Sequence, residues 1–128
     1  MAEINETAIV KFLATEVLDG VPFISPNNDE GDEYWQFKTP NGKTPFTCIR
    51  VDAFDPMNDI AHAFMVEDAI AKMGYNIKRK YAVRIDAEVS VLSQLPSEFN
   101  LIHASPKQRT IAAARALAGD EQIREFGL

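Results

Sequence analysis

The feature of this 128-residue chain that most limits its possible folds is the position of its proline and glycine residues. Together with the capping residues beside them, they divide the chain into short apolar segments. Asp55 precedes Pro56, and Ser105 precedes Pro106. This order is typical of a helix N-terminus, because a proline at the first helical position lacks only an N–H that would have no helical partner there. No apolar segment approaches the roughly 18 residues that a membrane span requires. We therefore expect one domain, residues 1–128, with no membrane segment.

Apolar residues at helical spacing predict three helices. The first runs from Asn5, its N-cap, to Leu18. The second begins at Asp55 and ends at Met73, and its expected core face consists of Ile60, Ala63, Phe64, Ile70 and Ala71. The third begins at Ser105, where Gln108 completes a capping box, and ends near Gly119. Residues 119–128 are expected either to add a loose last turn or to form a frayed tail.

Alternating apolar and polar residues predict a sheet between these helices. Residues 34–37 and 46–51 form a predicted hairpin around the turn at 40–42, and residues 21–33 are interpreted as a loop. Tyr81, Val83 and Ile85 alternate within a third predicted strand, residues 76–90, and residues 99–104 form a fourth. The predicted order is α-β-β-α-β-β-α. The fold class is α+β, with a mainly antiparallel sheet flanked by helices as an α/β/α layered sandwich.

The cysteine count and the charge limit the environment and the ligands that we expect. Cys48 is the only cysteine, so no internal disulfide forms, and residues 1–13 lack the pattern of a signal peptide. A cytoplasmic location is therefore expected. The net charge is −6, which disfavours nucleic acid, but residues 1–75 carry −8 and residues 76–128 carry +2.

Motifs for chemistry are weak. His62, His103 and Cys48 have no paired metal-ligand spacing, so we expect no metal or other cofactor. Cys48 is interpreted as a buried thiol and His62 as an exposed helical residue. One enzymatic alternative, a small hydrolase-like site, would use Asp52, Asp55, Asp59 and His62, and it predicts a concave pocket beside them. Otherwise the sequence favours no enzymatic activity.

Four residues are candidates for binding a protein partner. Tyr34, Trp35 and Phe37 lie beside an acidic segment, and exposed aromatic residues of this kind anchor interfaces. Trp35 has a second interpretation, as a residue of the core. Glu67 falls on the apolar face of the second helix, where it either contacts a partner or pairs with an arginine, for which Arg84 is the candidate. Self-association is left open.

Nucleic-acid binding is the alternative to partner binding. Its candidate residues are basic and lie in the C-terminal half of the chain: Lys78, Arg79, Lys80, Lys107 and Arg109. This hypothesis predicts that they share one face and that binding weakens steeply with salt.

Three segments resemble a family of small phage and prophage proteins. One is the run Asp59-Ile60-Ala61-His62-Ala63-Phe64 at the start of the second helix. Another is Ala104-Ser105-Pro106, which leads into the small-residue run from Ile111 to Leu117. The third, Ala14-Thr15-Glu16-Val17 in the first helix, matches more loosely. In this respect the chain is similar to proteins with the phage ABA-sandwich domain and to the related NinX-like proteins. The resemblance implies an α/β/α layered fold and a phage or prophage origin, and it implies no activity. We therefore expect a phage or prophage accessory protein that acts by binding a protein partner.

Overall fold

The computed structural model describes residues 3–24, 32–37, 47–90, 101 and 103–128. Five helices and a three-stranded antiparallel sheet are found in these ranges, so the α+β class is confirmed. The helices are α1 (Glu6–Phe12), α2 (Ile60–Ala71), α3 (Tyr75–Ser90), α4 (Pro106–Leu117) and α5 (Asp120–Glu125). The strands are β1 (Val21–Ile24), β2 (Glu33–Phe37) and β3 (Thr47–Arg50).

The predicted first helix is confirmed, and its last part is wider than an α-helix. The Asn5 side chain accepts a hydrogen bond from the Ala8 N–H, as an N-cap does. A π-helical turn, Leu13–Val17, continues α1. Asp19 then adopts a positive φ of 51°, and the Gly20 N–H returns to the Ala14 carbonyl. The chain thereby turns sharply into β1, and the strand replaces the loop predicted from residue 21.

The predicted hairpin is confirmed in its strands. β2 pairs antiparallel with β3, and Trp35 lies opposite Ile49. The predicted turn at residues 40–42 lies outside the described residues. β1 adds a third strand on the other side of β2, with Pro22 opposite Trp35. A proline lacks the N–H needed for ladder pairing, which is why it occurs on edge strands such as β1.

The second helix begins four residues later than predicted, because Asp59 and not Asp55 is its N-cap. The Asp59 carboxylate accepts hydrogen bonds from the Ala61 and His62 N–H groups. Residues 55–58 instead form a turn that buries Pro56 and Met57 in the core. The Asp-Pro pattern predicted the helix start at residue 55, and the burial of Pro56 and Met57 requires a turn there instead.

The predicted core face of α2 is partly wrong. Ala63, Val66 and Ile70 are buried, whereas Ile60 and Phe64 are exposed and Ala71 faces solvent. The stripe is rotated so that Val66 takes the central position. This rotation places Glu67 at the edge of the buried face and leaves it half-buried.

The third predicted strand is wrong, because residues 75–90 form α3, the longest of the described helices. Tyr81, Ile85 and Val89 are buried at a spacing of four, while Val83 is exposed. The alternation of Tyr81, Val83 and Ile85 fits a strand, whereas the spacing of four from Tyr81 to Ile85 to Val89 fits a helix. The burial of the second set and the exposure of Val83 show that the chain forms the helix.

In the C-terminal third, some predictions agree with the structure and others do not. The capping box of α4 is confirmed: the Ser105 hydroxyl accepts from the Gln108 N–H and the Gln108 side chain accepts from the Ser105 N–H. Of the two expectations for residues 119–128, the structure supports the last turn and not the frayed tail, because α5 follows, Phe126 is buried, and its carbonyl accepts the Asn5 N–H. The predicted strand at 99–104 is not formed at its described residues, since Leu101 is helical and His103 lies in a turn.

Two apolar clusters make the core. The larger one packs α1, α2 and α3 around α4, whose residues Ile111 to Ala114 are buried. Small alanine side chains let helices approach closely, so α4 serves as the central helix. The smaller cluster joins the sheet to the helices through Ala14, Trp35, Phe37 and Phe54.

Candidate functional site

The three aromatic residues predicted for partner binding are divided between the two faces of β2. Trp35 and Phe37 point into the smaller cluster and are 6% and 2% exposed. The core interpretation of Trp35 is therefore the one that the structure supports. Tyr34 lies on the opposite face, half-buried, with its ring 5.8 Å from the ring of Phe23. A continuous exposed aromatic surface is not formed by these residues.

A cleft of about 690 Å³ lies over Trp35, between α1, the sheet and the turn at residues 51–58. Its buried lining is apolar and includes Trp35, Phe54 and Met57. Four carboxylate residues and one lysine lie around this lining: Glu6, Glu33, Asp52, Asp55 and Lys11. We call this site the acidic cleft. Its size is within the ~300–1,000 Å³ that is typical of ligand sites.

The carboxylates of the acidic cleft are only weakly compensated. Arg50 Nη2 lies 3.1 Å from Asp52 Oδ2, and Lys107 Nζ lies 3.7 Å from Glu6 Oε1. These pairs are exposed to solvent, where an ion pair contributes about 0–1 kcal/mol and exchanges readily with an incoming cation. The cleft therefore offers an apolar surface surrounded by exchangeable negative charge.

The four residues of the enzymatic alternative do not act together on this cleft. Asp52 and Asp55 line it, whereas Asp59 and His62 do not. His62 is half-buried against the Phe54 ring, and its Nδ1 accepts a hydrogen bond of 3.0 Å from the Asp55 N–H. The expectation of an exposed His62 is therefore wrong. The imidazole holds the turn onto α2, whereas the Asp59 carboxylate caps α2 itself.

Glu67 is part of a second polar site, between α2, α3 and α4. Arg109 Nη1 donates to Glu67 Oε2 at 2.7 Å, and the Tyr81 hydroxyl donates to the same oxygen at 2.5 Å. Arg109 also donates to the carbonyls of Leu101 and Ala104, at 3.0 and 3.2 Å. The predicted partner Arg84 is wrong, because it was placed on a strand and is instead an exposed residue of α3.

Burial and charge act together on Tyr81. Desolvation raises the pKa of its hydroxyl far above the usual value of 10, and the hydrogen bond to Glu67 and the charge of that carboxylate raise it further. Arg109 lowers the pKa in part. Tyr81 is consequently a neutral hydrogen-bond donor and not a proton-transfer group at neutral pH.

The basic residues of the nucleic-acid alternative have different environments. Lys78, Arg79 and Lys80 are exposed on α3. Lys107 is exposed at the start of α4 and faces Glu6, whereas Arg109 is buried and its guanidinium lies 5.0 Å from the Phe64 ring centroid. Arg109 does not present its charge to an external phosphate. Of the five residues proposed to bind nucleic acid, Arg109 is therefore not available for that role.

Other chemical groups add no site. Cys48 is exposed, so the expectation of a buried thiol is wrong. Within the described ranges, no three His, Cys, Asp or Glu side chains are grouped so that they could hold a metal ion. In the same part of the chain, no helix has both the length and the apolar character needed to cross a membrane.

The chain matches no protein family model, no curated protein and no solved structure.

The sequence alone indicates Asp52, Asp55 and Trp35 as separate candidates and does not group them with Glu6 and Glu33. Glu6 lies on α1, and the pairing of β1 with β2 brings the sheet to it. Such proximity has no signal in a single sequence.

Proposed function

We propose that this protein is a non-enzymatic accessory protein of a phage or prophage and that it binds a protein partner through the acidic cleft. The observation that carries the proposal is the combination of an apolar lining with four surrounding carboxylates in one concave site. The phage origin is supported only by the resemblance of residues 14–17, 59–64 and 104–117. The layered arrangement that the resemblance implies stays a prediction.

The chemistry of the cleft favours a partner segment that is both basic and aliphatic. Lysine and arginine combine an apolar stem with a charged end, so their stems can cover Trp35 and Met57 while their charges reach Glu33 and Asp52. An interface of this kind gains area from the apolar contacts and orientation from the charges. An acidic segment would be repelled by the four carboxylates and attracted only by Lys11.

Two observations support a role without catalysis. His62 uses Nδ1 to accept the Asp55 N–H, so this nitrogen is not available as a general base. Asp59 is occupied as the N-cap of α2. The side chains nearest to a catalytic set are therefore engaged in structural contacts, His62 in holding the turn of the cleft wall and Asp59 in capping α2.

Trp35 is the only tryptophan, so its fluorescence reports directly on the acidic cleft. We would titrate the protein with a pentapeptide of alternating arginine and leucine, and with the same peptide carrying glutamate in place of arginine. The basic peptide is expected to shift the Trp35 emission with saturation and to bind less tightly as salt is raised. The acidic peptide is expected to have no effect.

A matched pair of variants locates the effect. Glu33→Gln combined with Asp52→Asn removes two charges of the cleft and is expected to weaken binding about tenfold, since each exposed charge contact contributes up to about 1 kcal/mol. Asp68→Asn combined with Glu121→Gln removes two exposed charges elsewhere and is expected to leave binding unchanged.

The same variants test the natural partner in a bacterial lysate. A protein that is captured after nuclease treatment, and lost with the cleft variant only, would support the proposal. Equal capture by both variants, or equal responses to both peptides, would contradict it. A captured species that disappears with nuclease would instead favour the basic residues of α3.

A further inference from the structure

A second concave site lies between α2 and α3, on the side of Arg109. Both helices pack mainly against α4 and have less contact with each other, so a space of about 430 Å³ is left between them. Glu67, Ile70 and Ala71 line it from α2, and Lys78, Tyr81, Ala82 and Ile85 line it from α3. Leu101 and Arg109 complete this site, which we call the apolar pocket.

The walls of the apolar pocket and its polar end differ in character. Ile70 and Ile85 are almost fully buried and give the pocket a hydrocarbon surface. At the polar end, Glu67 and Arg109 neutralise each other through the 2.7 Å contact. Lys78 is exposed, and none of the described residues forms an ion pair with it. Among the described residues, the pocket therefore presents one positive charge without a counter-charge, on a protein whose net charge is −6.

We propose that the apolar pocket binds a small amphipathic monocarboxylate, with its hydrocarbon chain against Ile70 and Ile85 and its carboxylate at the Lys78 ammonium. Small-molecule sites combine a concave apolar surface with a few polar groups that fix orientation, and this pocket has both. The positive charge of Lys78 favours an anion. Glu67 would repel a second negative group near Arg109, so a ligand with a single carboxylate is favoured. The inference does not depend on the acidic cleft, which lies on α1 and the sheet.

A series of fatty acids of increasing length tests the hydrocarbon contact. We would measure the binding of acetate, hexanoate and octanoate by amide chemical shifts, observed at Lys78, Ala82 and Ile85. Affinity is expected to rise about fourfold for each methylene that is buried, so octanoate should bind saturably and acetate should not. Octylammonium, which has the same tail and the opposite charge, is the matched probe and is expected to bind more weakly than octanoate.

Two pairs of variants test the two ends of the pocket. Lys78→Gln is expected to weaken octanoate binding about fivefold, as the loss of one partly exposed charge contact does. Lys80→Gln, on the same helix but outside the pocket, is expected to leave it unchanged. Ala82→Phe should fill the pocket and abolish binding, whereas Ala87→Phe adds the same ring elsewhere on α3 and should not.

Several results would overturn this inference. They are the absence of saturable octanoate binding below about 10 mM, equal affinity for octylammonium, or equal effects of the pocket and control variants. Far-UV circular dichroism of each variant shows whether it is folded, and the Lys78 pair is chosen because both side chains are exposed. A negative result here leaves the peptide titration of the acidic cleft unaffected, because Trp35 does not line the apolar pocket.

Discussion

The ion pair between Glu67 and Arg109 should be a unit whose partners are strongly coupled. The Arg109 side chain is 10% exposed and that of Glu67 is 32% exposed, so the pair lies between an exposed pair and a fully buried one. Exposed pairs contribute about 0–1 kcal/mol, and breaking a buried pair costs about 3–5 kcal/mol. We expect a coupling free energy of about 2 kcal/mol.

The perturbations are Glu67→Gln, Arg109→Met and the double variant. Glu67→Gln keeps the shape of the side chain but leaves the buried guanidinium with carbonyl partners only, so we expect a loss of about 2 kcal/mol. Arg109→Met removes three hydrogen bonds and keeps an apolar stem near Phe64, so about 3–4 kcal/mol should be lost. The double variant should lose little more than Arg109→Met alone, because no unpaired buried charge is left.

Urea unfolding measures these losses, with Trp35 fluorescence and far-UV circular dichroism as two probes of one transition. The free energy of unfolding should fall while its dependence on urea stays constant. Arg115 and Glu88 provide the control: they pair at 3.1 Å, and because the Arg115 side chain is 34% exposed against 10% for Arg109, we expect their coupling to lie below about 1 kcal/mol. A Glu67–Arg109 coupling below about 0.5 kcal/mol, or one equal to the control, would refute the reasoning.

Three further changes test other parts of the structure by urea unfolding. Gly20→Ala should cost about 1–3 kcal/mol, because a Cβ there would lie 2.7 Å from the Phe37 ring. Gly74→Ala is the control: a Cβ there would have no atom within 4 Å, so this change should be neutral or stabilising. Equal losses in the two variants would contradict the close approach at Gly20. Phe126→Ala should cost about 3–5 kcal/mol, and an unchanged midpoint would show that the C-terminal helix does not pack on the core. The pKa of the Tyr81 hydroxyl is raised in the folded state, so its contribution to stability is complete below pH 10 and is lost above pH 10 by up to about 1.4 kcal/mol per pH unit. Tyr81→Phe should therefore flatten the decline in stability at alkaline pH. Parallel pH profiles of the variant and the natural protein would argue against a buried neutral hydroxyl.

Local signals were sufficient where one or two neighbouring residues decide the structure. Asn5 and Ser105 cap their helices as predicted, because a cap needs only a side-chain oxygen close to free N–H groups. The β2–β3 hairpin also follows from short aromatic and β-branched segments on either side of a turn. The α+β class was therefore predictable from these elements.

Local signals failed where two patterns fit the same residues. Residues 75–90 satisfy both a strand and a helix, and burial of Tyr81 and Ile85 against α4 selects the helix. Asp55 and Asp59 are both acceptable caps for α2, and the burial of Met57 selects Asp59. Packing decides such cases because tertiary contacts contribute more than the small differences in local propensity.

The sequence by itself determined the helix caps, the hairpin and the unequal distribution of charge along the chain. Only the tertiary structure decided which charges meet: it pairs Glu67 with Arg109 across 42 residues and brings Glu6 and Asp52 to one cleft. The physical reason is that these interactions act over different distances along the chain. Capping and turn preferences act over a few residues, whereas a site forms when separate elements bury their apolar faces together and thereby fix the positions of the polar groups beside them.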